Sequence, residues 1–299
     1  MPNRRDGQRG FICLTGDVHH MSMRSVDQRS LPASEARIAV DYAACARRNG
    51  LKVTLFLTGK ALAEEADVFR PLVDRPDVEL GGHGLRARRP RWVYELLWRR
   101  LLGRSNGPAA YQAWEIGKTM VLFRERLGLT PRCWRDHAFR LDGNTHRLLA
   151  SRGITAVSDE VDLEASGPRP AGHGLTSLPI NVWPDHDCLA HGAYTGPRPW
   201  GPRKTRPGFP SRYWDGKEWL GKVEKQVERV VAGGGVATLL VHPACMQVLD
   251  GMRTFAELCE RLARHRSATV SEAAARAVAV TPEGASASVP EETRRTHRE

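Results

Sequence analysis

The feature that most constrains this chain is a set of short apolar runs that each stop on a polar residue. Residues 11–15 (FICLT) break at Gly16-Asp17, residues 78–81 (VELG) end at Gly82-His83, residues 132–135 (RCWR) run into Asp136-His137, and residues 236–242 (VATLLVH) close on His242. Runs this short, bounded by Gly or Pro, read as buried strands rather than helices. Residues 52–58 (KVTLFLT), the ITAVSD segment from Ile154 and residues 176–183 (TSLPINVW) read the same way. Between them lie stretches with helical periodicity: SEARIAVDYAACARR from Ser34, stopped by Asn49-Gly50, then residues 59–75, 92–104 and 108–127. Further helices are expected over 143–152, capped by Asn144 or Thr145, over 214–232, stopped by Gly233-Gly234-Gly235, and over 253–265. This alternation predicts a parallel α/β sheet with right-handed crossovers. In a closed α/β barrel, chemistry lies where the C-terminal ends of the strands converge. Asp17, His83, the Arg135–His137 region and His242 all fall at that end.

A chain of 299 residues with 41% apolar content can bury one large core, so a single catalytic domain is expected. Its boundaries are read as a flexible N-terminus over 1–9, a domain over 10–275 and a disordered tail over 276–299, where periodicity gives way to polar residues. No internal repeat is present. The net charge of +11 comes from arginines spread along the chain, with no zinc-finger spacing or aromatic-interleaved motif, so no nucleic-acid partner is expected. No stretch approaches the roughly 20 apolar residues of a spanning helix, and the N-terminus lacks a secretory apolar core. No membrane partner and a cytoplasmic location are therefore expected. The six cysteines are scattered without a paired motif, as in proteins of a reducing compartment. Trp92, Trp98, Trp114 and Trp219 are assigned to packing.

Several clusters carry candidate chemistry. Asp17-Val18-His19-His20 places a carboxylate and two imidazoles in one short window, a donor set suited to zinc or another divalent transition metal. Asp17 could equally cap a turn, with solvated histidines beside it. His83 sits between glycines that allow close backbone approach. Arg135-Asp136-His137 offers a fixed cation, a carboxylate and an imidazole in succession, enough to orient a general base. His242 ends the most apolar strand, where burial can tune an imidazole for proton transfer. Residues 184–213 form a long His-, Pro- and Gly-rich segment containing Asp185, His186, Asp187 and His191, and it reads as a substrate wall or a source of a further ligand.

The order of these blocks resembles the polysaccharide deacetylase family, also called the NodB homology domain or carbohydrate esterase family 4. FICLTGDVHH resembles its first motif, a strand leading to an Asp-Asp pair, with Val18 in place of the second Asp. Thr-Leu-Phe-Leu-Thr-Gly at 54–59 resembles its T-x-F-x-x-G strand, and ELGGHGLRA its H-x-x-x-H block, with Ala87 in place of the second His. CWRDHAFR followed by NTHRLLASRGI resembles its Arg-containing block, and TLLVHPA its terminal strand–histidine block. The resemblance covers about residues 10–275. It implies a distorted (β/α) barrel of seven strands that removes an acyl group from an N-acetylated sugar with the help of a metal.

By the same resemblance, Asp17, His19 and His83 are expected to hold a divalent ion, zinc foremost, with His20, His137 or His186 as substitute ligands. Asp136 or His137 would serve as base, Arg135 would orient it, and His242 would protonate the leaving amine. His186 and His191 are expected to contact a small N-acetylated amino sugar or related metabolite. Two further readings stand beside this one. The altered ligand set suits a hydrolase for a non-sugar amide or cyclic imide, and Val18 and Ala87 suit a metal-free binding protein on a degenerate barrel.

Overall fold

A computed structural model describes residues 10–19, 31–87, 96–98, 100–101, 106–139, 141–189 and 208–280. The first half of the sheet is built from β1 (Phe11–Val18), β2 (Val53–Leu57) and β3 (Val78–Gly82), separated by α1 (Glu35–Arg48) and α2 (Gly59–Phe69). After α3 (Ala109–Leu127), the strands shrink to β4 (Cys133–Trp134), β5 (Ala156–Val157), β6 (Arg169–Pro170) and β7 (Thr176–Ser177), with α4 (Gly143–Ala150) between β4 and β5. A single turn, α5 (Asp185–Cys188), precedes α6 (Gly216–Ala232) and β8 (Val236–Leu240), and α7 (Pro243–Asp250), α8 (Arg253–Leu262) and α9 (Val270–Val280) complete the fold. The sheet order is β6-β7-β5-β4-β3-β2-β1-β8. Seven of these strands run parallel, and β6 adds an antiparallel edge on β7. The expected seven-stranded parallel frame is therefore present, with one short strand added.

Period-two alternation along the long strands sorts residues into two layers. Ile12, Leu14, Val53, Leu55, Leu239 and Val241 face outward and pack beneath α1 and α6. Cys13, Phe56, Cys133 and Ala156 face inward. Asp17 shares the parity of Cys13, so the strand that buries Leu14 on one side delivers this carboxylate to the barrel interior. Helix α9 closes the opposite end: Val270, Ala273 and Ala274 join the inner cluster, and the amides of Val270 and Ser271 donate to Thr54 Oγ1 (3.0 Å) and Glu79 Oε2 (3.1 Å). Helix α9 itself continues to Val280, past the position 275 at which the domain was expected to end. Residues 281–299 lie outside the described residues.

The seam between β7 and β8 has no strand ladder. After Ser177 the chain crosses from β7 toward β8, so residues 176–183 form a crossing segment and not one continuous strand as expected. Asn181, fully buried, ties the seam. Its amide nitrogen donates to Val236 O (2.9 Å) and Ala165 O (2.7 Å), and its oxygen accepts from the Thr238 N–H (2.8 Å).

Local signals differ from expectation at two places. The cap of α4 is Asp142, with Thr145 completing a capping box from the third helical position. Trp219 is fully buried as expected, but Trp114 is 56% exposed and does not belong to the core. Trp92 lies outside the described residues. All six cysteines are free thiols, and no helix among the described residues is long and apolar enough to cross a membrane.

Asn181→Ala would leave the buried Val236 O and Thr238 N–H, and the half-buried Ala165 O, without the partner it supplies. It should lower the free energy of unfolding by about 3 kcal/mol, measured by urea denaturation. A loss below about 0.5 kcal/mol would show that the seam does not depend on this side chain.

Candidate active site

The ends of β1, β3, β4 and β8 converge as parity and topology require. Asp17 is buried, and its Oδ1 accepts from Arg135 Nη1 at 2.8 Å. Its Oδ2 lies 3.7 Å from His83 Nε2 and 3.8 Å from His242 Nε2. Burial would push the Asp17 carboxyl up, but the Arg135 guanidinium, helped by the neighbouring imidazoles, holds it well below the usual carboxylate range. Arg135 is itself fully buried. Its remaining nitrogens donate to Ser158 O and Ser158 Oγ, both at 2.7 Å, and its guanidinium lies 4.4 Å from the Phe56 ring centroid.

His83 is fully enclosed, and the Arg135 carbonyl, 2.8 Å from Nδ1, accepts its proton. That bond assigns the Nδ1–H tautomer and leaves Nε2 as a bare lone pair. Nε2 is buried without a hydrogen-bond partner. Burial brings the His83 pKa down to about 3, so the imidazole stays neutral. Around it stand His19 and His137, with ring centroids 5.1 and 5.5 Å from His83 and 4.9 Å from each other. One donor atom from each of these three histidines lies within 4.8 Å of the others. The backbone just past His137 turns sharply, with positive φ at Ala138 (59°) and Phe139 (55°), a conformation that non-glycine residues hold only under constraint.

A second pair faces this cluster across Asp17. Asp185 accepts from His242 Nδ1 (2.8 Å) and from the His242 backbone N–H (2.7 Å). Burial disfavours the His242 cation, but Asp185 outweighs it and raises the pKa to about 9. Its Nε2, directed at Asp17, therefore carries a proton.

These placements bring together Asp17, His19, His83, Arg135, His137 and His242 from the sequence expectations. Asp136 does not join them: its Oδ1 accepts from the His137 N–H, and it borders a cavity of about 20 Å³ shared with Trp134, Asn106 and Thr145, room for about one water. His186 packs on the far side of His242, at 5.6 Å between ring centroids and 3.9 Å from Cys245 Sγ. His20 and His191 lie outside the described residues. Asp17, His19 and His242 form a second possible donor group, in which Asp17 already accepts from Arg135 through Oδ1 and His242 donates to Asp185 through Nδ1.

Two residues that sequence reasoning did not single out complete the site. Asp185 was visible only as one acid in a loop. Glu35, in the first turn of α1, is 1% exposed and lies 3.4 Å from His19 Nδ1, which leaves His19 Nε2 to face the cluster. Carboxylate partners of this kind orient imidazole ligands in metal sites.

The architecture is that of the polysaccharide deacetylases. No protein-family model matches the sequence, and no match was found among curated proteins. Three solved structures share the fold over nearly their full length. A putative polysaccharide deacetylase from Mycobacterium smegmatis superposes with TM-score 0.68 at 17% identity, covering 94% of each chain. PuuE allantoinase gives 0.65 at 14% identity over 93% of each chain. A probable polysaccharide deacetylase from Pseudomonas aeruginosa PAO1 gives 0.60 at 14% identity, covering 88% of this chain and 89% of the other. At such identities the likeness establishes the fold and leaves the chemistry to the residues.

At the end of β5, His146 Nε2 meets Asp159 at 2.9 Å, and that bond raises the His146 pKa above its ordinary 6.5 despite partial burial. The raised value means that this pair stabilises the fold fully below the unfolded pKa and loses that effect as pH rises through the folded one. The stability gap between the wild type and His146→Gln should be largest near about pH 5.5 and narrow by about pH 8.5, by urea denaturation. A gap that does not change with pH would contradict the pairing.

Proposed function

We propose that this chain is a metal-dependent hydrolase of carbon–nitrogen amide bonds, with His19, His83 and His137 as the metal ligands. The observation that carries the reading is the buried, unpartnered Nε2 of His83, which shares a cluster with two further imidazoles. Three imidazole nitrogen donors suit zinc and leave coordination positions open, as catalytic zinc sites require. Bound there, a divalent ion would polarise the scissile carbonyl and acidify the attacking water, whose proton Asp17 is placed to accept.

The remaining roles follow from hydrogen bonding. Arg135 holds Asp17 by Oδ1, so Oδ2 is the oxygen that accepts a proton. His242 Nε2 delivers a proton to the departing nitrogen, and Asp185 at Nδ1 keeps the ring oriented and compensates its charge. In this assignment Asp17 is the base rather than a ligand, and Asp136 takes no part in proton transfer. Two imidazoles, His19 and His137, substitute for the ligands missing at Val18 and Ala87.

The substrate class we favour is a small N-acetylated amino sugar or related metabolite, on the strength of the likeness to polysaccharide deacetylases. The comparable likeness to an allantoinase supports a second reading, hydrolysis of a cyclic amide or imide on the same machinery.

Zinc-loaded protein should release acetate from at least one member of an N-acetylamino sugar panel, or open a ring in a cyclic-imide panel, as read by mass spectrometry. Asp17→Asn should lower kcat by about a hundredfold or more, and His242→Gln by a similar factor. Absence of turnover on both panels, with zinc bound, would overturn the hydrolase reading.

A further inference from the structure

Asp136 moves no proton in this mechanism, yet it is only 9% exposed, and a buried carboxylate is retained at a cost unless its hydrogen bonds offset it. Two such bonds close both ends of one turn. Its Oδ1 accepts the His137 N–H at 3.0 Å, and its backbone carbonyl accepts the Phe139 N–H, also at 3.0 Å. Between these amides the chain is strained: Ala138 (φ 59°) and Phe139 (φ 55°) both lie in the left-handed region, and neither is a glycine. Adjacent residues in that region persist only where surrounding contacts fix them. The direction in which the His137 ring leaves the backbone is thus set by a turn that Asp136 braces at its start and at its end.

The same residue joins this turn to the anchored part of the site. Arg135, immediately before it, is fixed at three points: its N–H donates to Gly82 O (3.0 Å), its carbonyl accepts from His83 Nδ1 (2.8 Å), and its guanidinium holds Asp17 (2.8 Å). Asp136 is the one residue between that anchor and His137. It also borders the cavity of about 20 Å³, and two other residues lining that cavity, Trp134 and Asn106, bury Nε1 and Oδ1 with no hydrogen-bond partner among the described residues. A donor and an acceptor beside one water-sized space are what a single bound water would satisfy, so the carboxylate is buried in polar surroundings.

We propose that Asp136 is a positioning residue for the metal site: by accepting from the His137 N–H it holds the strained turn, and the turn aims the His137 imidazole at His19 and His83. This role rests on His137 as a ligand. It differs from that of Glu35, which bears on the ring of His19, because Asp136 bears on the backbone of its ligand. Without the carboxylate oxygen the His137 amide loses this acceptor, the turn can relax out of the left-handed region, and the third imidazole moves away from the other two.

Zinc affinity of the full chain, measured by competition with a chromophoric chelator, tests it without recourse to activity. Asp136→Ala should weaken zinc binding by about tenfold to a hundredfold, the range for residues that orient a metal ligand. Asp136→Asn, whose amide oxygen can accept the same N–H, should keep most of the affinity. His137→Ala should itself weaken binding, and in that background the further change Asp136→Ala should have little effect, because the ligand it positions is gone. If His137→Ala binds zinc as tightly as the wild type, the three-histidine site proposed above falls and this role falls with it. If His137→Ala is weakened, equal affinity in the wild type and Asp136→Ala would overturn the role of Asp136 alone. So would a loss as large in Asp136→Asn, or one that persists undiminished in the His137→Ala background, since general damage to the fold does not need His137.

Discussion

The buried ion pair between Asp17 and Arg135 is the interaction on which the site depends. Removing both charges from water is costly, and the pair persists because the other two nitrogens of Arg135 also donate, to Ser158 at the end of β5. Its backbone takes part as well, since the Arg135 carbonyl fixes the tautomer of His83. One residue therefore ties together β1, β3 and β5, holds the Asp17 carboxylate ionised, and turns the lone pair of His83 toward the other imidazoles. If the pair were broken, the base and a ligand would lose their orientation together.

Around that pair the histidines divide by environment. His83 has lost water and gained only a carbonyl, so it is neutral and able to coordinate. His242 has lost water too, but Asp185 accepts both its ring and backbone protons, so it is charged and able to donate. Burial pushes both pKa values down, and only at His242 does a carboxylate partner outweigh it, so the two come to lie on opposite sides of neutrality. Separated values of this kind are how one pocket supplies a metal donor and a proton donor at one pH.

Much of this arrangement was legible in the sequence, for a physical reason. Asp17, His83 and His242 end apolar strands, and strand parity with parallel topology leaves those positions no place but the interior at the C-terminal end. His137 was readable as a candidate base or as one of several substitute ligands, since its position depends on the turn at Ala138 and Phe139 that no periodicity announces. Asp185 was harder still. It meets His242 across 57 residues of sequence because Asn181 carries the chain over the seam to β8, and that crossing is written in side-chain hydrogen bonds rather than in apolar alternation. The strands β4 to β7 are two residues each, too short to display a pattern, which is why this half of the barrel was read less accurately than the half containing β1 to β3. Glu35 looked like an ordinary acid in a first helical turn, and only the packing of α1 against the site reveals its contact with His19.

The central claim is that the metal rests on imidazoles and that Asp17 stays with Arg135. X-ray absorption spectroscopy at the zinc edge, on loaded protein, tests it most directly. The account predicts scattering from three imidazole rings, and the same pattern in Asp17→Asn. A site with two imidazoles and a carboxylate, or one that changes its coordination in Asp17→Asn, would contradict it.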